Sequence, residues 1–424
     1  MYPNPQDVIP LPARPNLEQY RKQAKDLVKA CRSGAADAFR VWAARWPNHS
    51  EQIERFGRET MTSRDCALTA AQFVIARMHG FLSWPKFSAH LDGLARAASP
   101  ISHFELAAEA IVAGDEATVR RLLREHPELI RARSTREHRS TLLHYSAANG
   151  VENYRQKTPA NAVRIAQILL DAGAEVDAEA DMYGGRCTTL GLAATSVFPE
   201  AAGVQNALMQ LLIDRGAAID GPRAMGRSDS FVDGCLANGR PAAAEYLAAH
   251  GARLDLDGAA GLGRLDVVAG FFHADGTLKP PATLEQLRAG FQWACQYGRT
   301  AVVEFLLERG VPPGAPLRDG GQTALHLAAL GGHADIVEIL LERGAPVGLV
   351  ETTYGGTPLT WALHGWSETT GAAHDRYPEV VARLVAAGAV VNPAWLDADA
   401  PRTPFGDRLR ADPRMLAALR GERK

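Results

Sequence analysis

Cysteine is scarce in this sequence. Five residues among 424 (Cys31, Cys66, Cys187, Cys235 and Cys295) lie far apart, odd in number and without a C-x-x-C pair. That spacing argues against a disulfide framework and against a thiolate zinc site. No run of apolar residues approaches the roughly 20 that a membrane helix requires. Charge of one sign is also lacking: 46 Lys and Arg stand against 48 Asp and Glu, a formal net charge of -2. This balance excludes a generally basic nucleic-acid binder. The first fifteen residues hold five prolines and no apolar centre, so they read as an extended arm and not as a signal peptide. A reduced, cytoplasmic protein is expected. Phosphate loops, dinucleotide-binding glycine motifs, H-E-x-x-H and G-x-S-x-G are all missing. No cofactor or metal site is therefore expected, and no catalytic residue is assigned.

What is present is a repeat. Residues 322–347, QTALHLAALGGHADIVEILLERGAPV, align without a gap to AGFQWACQYGRTAVVEFLLERGVPP at 289–313, and Gly310 and Gly344 stand 34 residues apart. The same closing signal recurs at Gly173, Gly216, Gly251 and Gly388, with a degenerate copy ending near Gly276. One unit can be read physically. Thr323 is placed to cap a short helix, and Ala328 and Ala329 permit close approach of a neighbour. Gly332 tolerates the positive φ of a helix end. Ile336, Val337, Leu340 and Leu341 then form one apolar stripe. Two such helices cannot bury their apolar faces alone, whereas stacked neighbours can.

The string T-A-L-H-L-A-A-x-x-G-H-x-x-I-V-x-x-L-L-x-x-G-A resembles the ankyrin repeat. Its opening motif reads Thr323-Ala324-Leu325-His326, Thr141-Leu142-Leu143-His144 and Thr357-Pro358-Leu359-Thr360. The resemblance implies an all-α, ankyrin-repeat α-solenoid with about eight degenerate units over 101–393. Their approximate bounds are 103–132, 140–177, 187–220, 229–255, 257–278, 289–316, 322–348 and 355–393. Residues 16–100 form a helical capping domain of three or more helices, over 16–31, 35–46 and an interrupted 68–96. The segment A-Q-x-V-I-A-R-x-x-G-F-x-S-W-P-K within it resembles a leader module of bacterial ankyrin-repeat proteins. Its fourteen Lys and Arg against nine Asp and Glu over residues 1–100 read as a solvated surface and not as nucleic-acid contact. Residues 394–424 form a second cap. The glycine-rich stretch 257–285 (Gly258, Gly261, Gly263, Gly270 and Gly276) is expected to be the least stable part of the array.

Three units carry insertions between their paired helices, at 150–161, 196–204 and 365–378. By the resemblance, a partner is gripped by finger turns and inner-helix ends. This picks out Asn149, Thr195, Ser196, Asn238, Gln296, Tyr297 and His364 on helix ends, and Tyr183, Arg318, Asp319 and Tyr354 on fingers. Trp366, at the start of an insertion, is expected to be exposed, whereas Trp293 and Trp361 read as packing residues. The polar-aromatic set suits a protein or peptide partner. The motif histidines His144 and His326 are expected to brace neighbouring turns. Cys235 and Cys295 replace small alanines and carry no sign of activation. His364 and His374, with Glu368 and Asp375, match no metal-ligand spacing. The function read from this is a non-enzymatic protein-interaction scaffold. The alternative is an unusual enzyme or small-molecule binder that uses the groove roofed by the insertions.

Overall fold

The computed structural model describes residues 7–61, 66–221, 230–317, 320–397 and 402–422. Among them the protein is all-helical. No strand is present, only two isolated bridges, Ala180 with Cys187 and Phe272 with Leu278. No described helix is long and apolar enough to cross a membrane. The chain divides into two compact units, Met1–Gly234 and Cys235–Lys424.

In the first unit, helices Leu17–Ser33, Ala38–Ala43, Ser50–Thr60, Leu68–Met78 and Trp84–Leu94 enclose a core of their own. The break between the last two falls at the aromatic turn expected from Gly80 and Pro85. The Ser50–Thr60 helix was not foreseen, because its sequence, SEQIERFGRET, is mostly polar and buries only Ile53 and Gly57. The proline-rich arm is anchored at two residues: Val8 and Ile9 are buried, and Ile9 N–H donates to Met78 O at 2.9 Å, while Pro10 and Pro12 are exposed. One expectation is overturned here. Cys31, near the end of the first helix, and Cys66, just before the Leu68–Met78 helix, form a disulfide. Helix packing closes a sequence gap of 35 residues that spacing alone could not foresee.

Paired helices follow. Pro100–Ala113 is capped by Ser99, whose hydroxyl accepts from Ser102 N–H, and it stops at Gly114, where φ is 76°. Asp115 then caps Glu116–Glu125. The next pair opens differently, with a 3-10 helix over Leu142–Ala147, and its second member is Ala162–Asp171. Thr189–Thr195 and Gln205–Asp214 form the third pair, with a short Val197–Ala201 helix in the insertion between them.

The second unit contains Pro241–Ala249 and then the pairs Leu256–Leu262 with Leu265–Gly270, Leu284–Gln296 with Thr300–Glu308, Ala324–Gly331 with Ala334–Glu342, and Pro358–Glu368 with Tyr377–Ala386. Ile336, Val337 and Leu340 are buried in one continuous apolar core, and Leu341 packs on its margin. The glycine-rich unit owes part of its composition to close packing. A Cβ at Gly261 would lie 2.6 Å from Leu236 Cδ1, and Ala260 is approached by Gly290 of the next pair, where a Cβ would lie 2.9 Å from Ala260 Cβ. Two short helices, Pro404–Ala411 and Pro413–Leu419, close the end, with Leu409, Met415 and Leu419 joining the core.

Candidate functional site

Four of the residues singled out on the sequence meet in the first unit. Tyr183 Oη donates to Asn149 Oδ1 at 2.8 Å, and Asn149 Nδ2 donates in turn to Thr195 Oγ1 at 3.0 Å and to Leu192 O at 3.2 Å. Tyr183 is 59% exposed on its finger, at a left-handed φ of 48°. Ser196 joins the set from below: its side chain is buried, and Oγ donates to Ala148 O at 3.2 Å. Ser196 therefore holds the helix end and offers no contact surface, which corrects the sequence expectation.

The remainder lie in the second unit, except Arg318 and Asp319, which fall outside the described residues. Tyr297 is half-buried and its hydroxyl donates to Leu236 O. Gln296 O accepts from His333 Nε2 at 2.9 Å. Asn238 sits just past the end of helix Phe231–Ala237. His364 is exposed on the Pro358–Glu368 helix. Trp366 is 2% exposed, contrary to expectation. The helix runs on through Glu368 instead of ending before the insertion, which turns Trp366 inward. It lies against His374 (5.3 Å between ring centroids), Phe405 (6.3 Å) and the Arg408 guanidinium (5.2 Å). Asp375, considered beside it as a metal ligand, pairs with Arg414 at 3.0 Å. Trp293 is buried and Trp361 half-buried, as packing residues.

The finger that carries Tyr354 is built around one carboxylate. Glu351 is wholly buried, and its oxygens accept the N–H groups of Thr353 (2.7 Å), Tyr354 (3.0 Å) and Gly356 (2.9 Å), with Gln322 Nε2 added at 3.0 Å. Burial acts to raise its pKa, but the donors from Gly356, Thr353 and Tyr354 outweigh this and hold the carboxyl below the usual range. The turn so fixed presents Tyr354 at 81% exposure, and Val350, four residues before it in the chain, is 56% exposed. The Tyr354 ring meets Trp361 edge-on at 6.3 Å. The motif histidines brace fingers as expected: His144 Nε2 lies 3.2 Å from Cys187 O, and His326 Nε2 lies 3.3 Å from Gly356 O.

Sequence reasoning missed a buried ion network in the first unit. Arg136, from the 134–140 finger, contacts Glu152 of the 150–161 insertion through Nε, His79 O through Nη1 at 2.9 Å and Tyr154 Oη through Nη2 at 3.2 Å. Arg155 Nη1 reaches Glu105 Oε2 at 2.8 Å and Glu152 Oε1 at 3.5 Å. Burial works against the Glu152 and Glu105 charges, but Arg136 and then the neighbouring cations prevail and lower both pKa values. Burial pushes the Tyr154 hydroxyl up to about 12. The members span residues 105 to 155, and each alone reads as a surface charge. The available signal was the Glu152 and Arg155 pair, three apart, inside an insertion. Burial raises the Cys187 thiol to about 11 and raises that of Cys295 as well, which favours the protonated form of both.

Compared with known families, residues 291–394 match the model for Ankyrin repeats in three copies. The chain carries ankyrin repeats. The matched residues begin within the Leu284–Gln296 helix and take in the three regular pairs of the second unit. The ankyrin repeat is in general a protein-interaction element. Comparison with curated proteins gives no match to the chain.

Proposed function

We propose that this ankyrin-repeat chain is a non-enzymatic scaffold that binds a protein or peptide segment through finger turns and inner-helix ends. The observation that carries this reading is Tyr354. A large aromatic 81% exposed, on a turn clamped by a buried carboxylate, is a contact residue ordered before any partner arrives. Little further entropy is lost when such a group is engaged, and tyrosines of this kind dominate interface energetics. The Trp361 edge extends the apolar surface beside it. Asn238, Gln296, Tyr297 and His364 supply polar neighbours in the reading, and Tyr183 with Asn149 and Thr195 forms a second contact region on the first unit. We assign the protein to the cytoplasm. The Cys31–Cys66 disulfide stands against that, since cytosolic thiols are kept reduced; fractionation with alkylation at lysis decides it.

The test is site-specific photocrosslinking in the native cell. A photoreactive phenylalanine at position 354 is expected to trap a discrete protein, and one at the exposed outer position Glu308 is not. Tyr354→Ala in the otherwise unaltered chain is expected to remove co-purification of that protein with the thermal midpoint unchanged. Crosslinks from 308 but none from 354, or full retention of the partner by Tyr354→Ala, would sink the assigned surface.

A further inference from the structure

The first unit contains a half-open cavity of about 330 Å³, bounded by the turn at Gly80, the 134–140 finger, the start of the 150–161 insertion and the 181–184 finger. This size suits a molecule on the scale of an amino acid or a short diamine. Its wall holds Arg77, Arg136, Glu137, Glu152 and Asp181. His138 lines it as well, with Nε2 3.6 Å from Glu152 Oε1. Arg77 pairs with Glu137, and Arg136 and Arg155 with Glu152, while Asp181 has no cationic partner among the described residues. The guanidiniums are already engaged. Arg77 Nη1 donates to Glu137 Oε2 at 2.5 Å, and Arg136 is held by Glu152, His79 O and Tyr154.

The carboxylates retain capacity. Asp181 is exposed; its backbone N–H donates to His138 O at 2.8 Å, and its side chain makes no hydrogen bond or ion pair among the described residues. Glu152 is wholly buried in the wall, and its Oε2 has no hydrogen-bond donor. A buried carboxylate oxygen without a donor is costly, so this position calls for an N–H group. Tyr183 stands at the mouth with its ring fixed by the hydrogen bond to Asn149. Its left-handed backbone is strain of the kind held at ligand sites, and its ring face can receive a cation.

We propose that this cavity binds a compact organic cation bearing N–H donors, an alkylammonium or a guanidinium, with Asp181 and Glu152 as its anionic partners and Tyr183 as its aromatic wall. The cation arrives either as a free small molecule or as a Lys or Arg side chain of another protein; the chemistry is shared. The inference does not rest on the Tyr354 surface, whose residues all belong to the second unit, so either can fail alone.

The full-length chain is titrated by calorimetry and ligand-observed NMR with methylguanidinium, with putrescine and with neutral methylurea. Both cations are expected to saturate the protein and methylurea to leave it unchanged. Asp181→Asn and Tyr183→Leu are each expected to weaken the cations by about tenfold, the worth of one charge-assisted contact, without lowering the thermal midpoint. Glu152→Gln should weaken them further; if that variant fails to fold, the Asp181 and Tyr183 variants decide. Equal binding of methylurea and methylguanidinium, no binding of either cation at ~10 mM, where even a site of millimolar affinity would be filled, or full affinity in Asp181→Asn would overturn the proposal. Agmatine and a blocked Gly-Arg-Gly peptide separate the sources. Tighter binding of agmatine identifies a free metabolite, and tighter binding of the peptide identifies a protein side chain.

Discussion

Thr141 and Thr323 open two repeats in the same way. Each hydroxyl lies against the ring Nδ1 of a histidine three residues on, at 2.8 and 3.0 Å, and each histidine reaches the next finger. Beyond the cap the two diverge. The second repeat forms an α-helix, Ala324–Gly331, that stops at Gly332 with φ 71°. The first tightens into a 3-10 helix that stops at Ala148 with φ 49°. A left-handed alanine costs about 1–2 kcal/mol. Here it is offset by Ser196 Oγ, which donates to its carbonyl, and by the ion network that anchors the following insertion. The shared cap thus sets where a repeat begins, while the residues after it set the kind of helix. The second unit is held by a continuous apolar core, and the first adds charge on charge in its interior.

Acid should separate the two most sharply. In the first unit burial holds three rings, His79, His90 and His144, down to about 4, whereas over 289–348 it lowers two, His326 and His333. Below the ordinary value of about 6.5 the unfolded chain takes up protons that these folded rings refuse. Stability is therefore lost as pH falls from about 6.5 towards 4, on the order of 3 kcal/mol for each ring at the lower limit. The lowered Glu105 and Glu152 add a further loss below about 4.5. Hydrogen exchange at stepped pH should show peptides of Met1–Gly234 losing protection before those of 289–348. Simultaneous loss would erase the contrast. Next in size, Arg136→Met leaves Glu152 buried with less compensation and should cost about 3–5 kcal/mol. A urea titration followed by exchange should place that loss in the first unit alone.

Smaller effects test what the units share. His144→Ala and His326→Ala each remove a cap partner and a bridge to the next finger, and each should cost about 1–2 kcal/mol by urea unfolding. Very different values would show that helix type governs the brace. In the glycine-rich unit, Gly261→Ala drives a methyl into Leu236 and should cost about 1–3 kcal/mol. Gly270→Ala has no atom within 4 Å to meet and should gain about 0.4–1 kcal/mol. The pair separates glycine kept for packing from glycine that merely loosens the chain.

Much of the fold was legible in the sequence because its signals are local. Thr caps, Gly stops and the Ile336–Leu340 stripe lie within single units, and the break at Gly80 was equally visible. What escaped depends on distant partners. Cys31 meets Cys66 only after three helices pack, and Glu105 finds Arg155 across fifty residues. The burial of Trp366 is hidden in the sequence because the start of an insertion there does not coincide with a helix end; the helix continues through it to Glu368. Of the proposed contact residues, Tyr183 and Tyr354 are visible in the sequence because each is followed by two glycines, Gly184-Gly185 and Gly355-Gly356. The role of Glu351, which the turn needs, is not.

That carboxylate has an evolutionary consequence. Because Glu351 fixes the loop through main-chain N–H groups, those hydrogen bonds do not depend on the side chain at position 354. If Tyr354 is the contact residue proposed above, a single codon change there rewrites what is recognised while the main-chain clamp stays in place, so new specificity can arise without first passing through an unfolded intermediate.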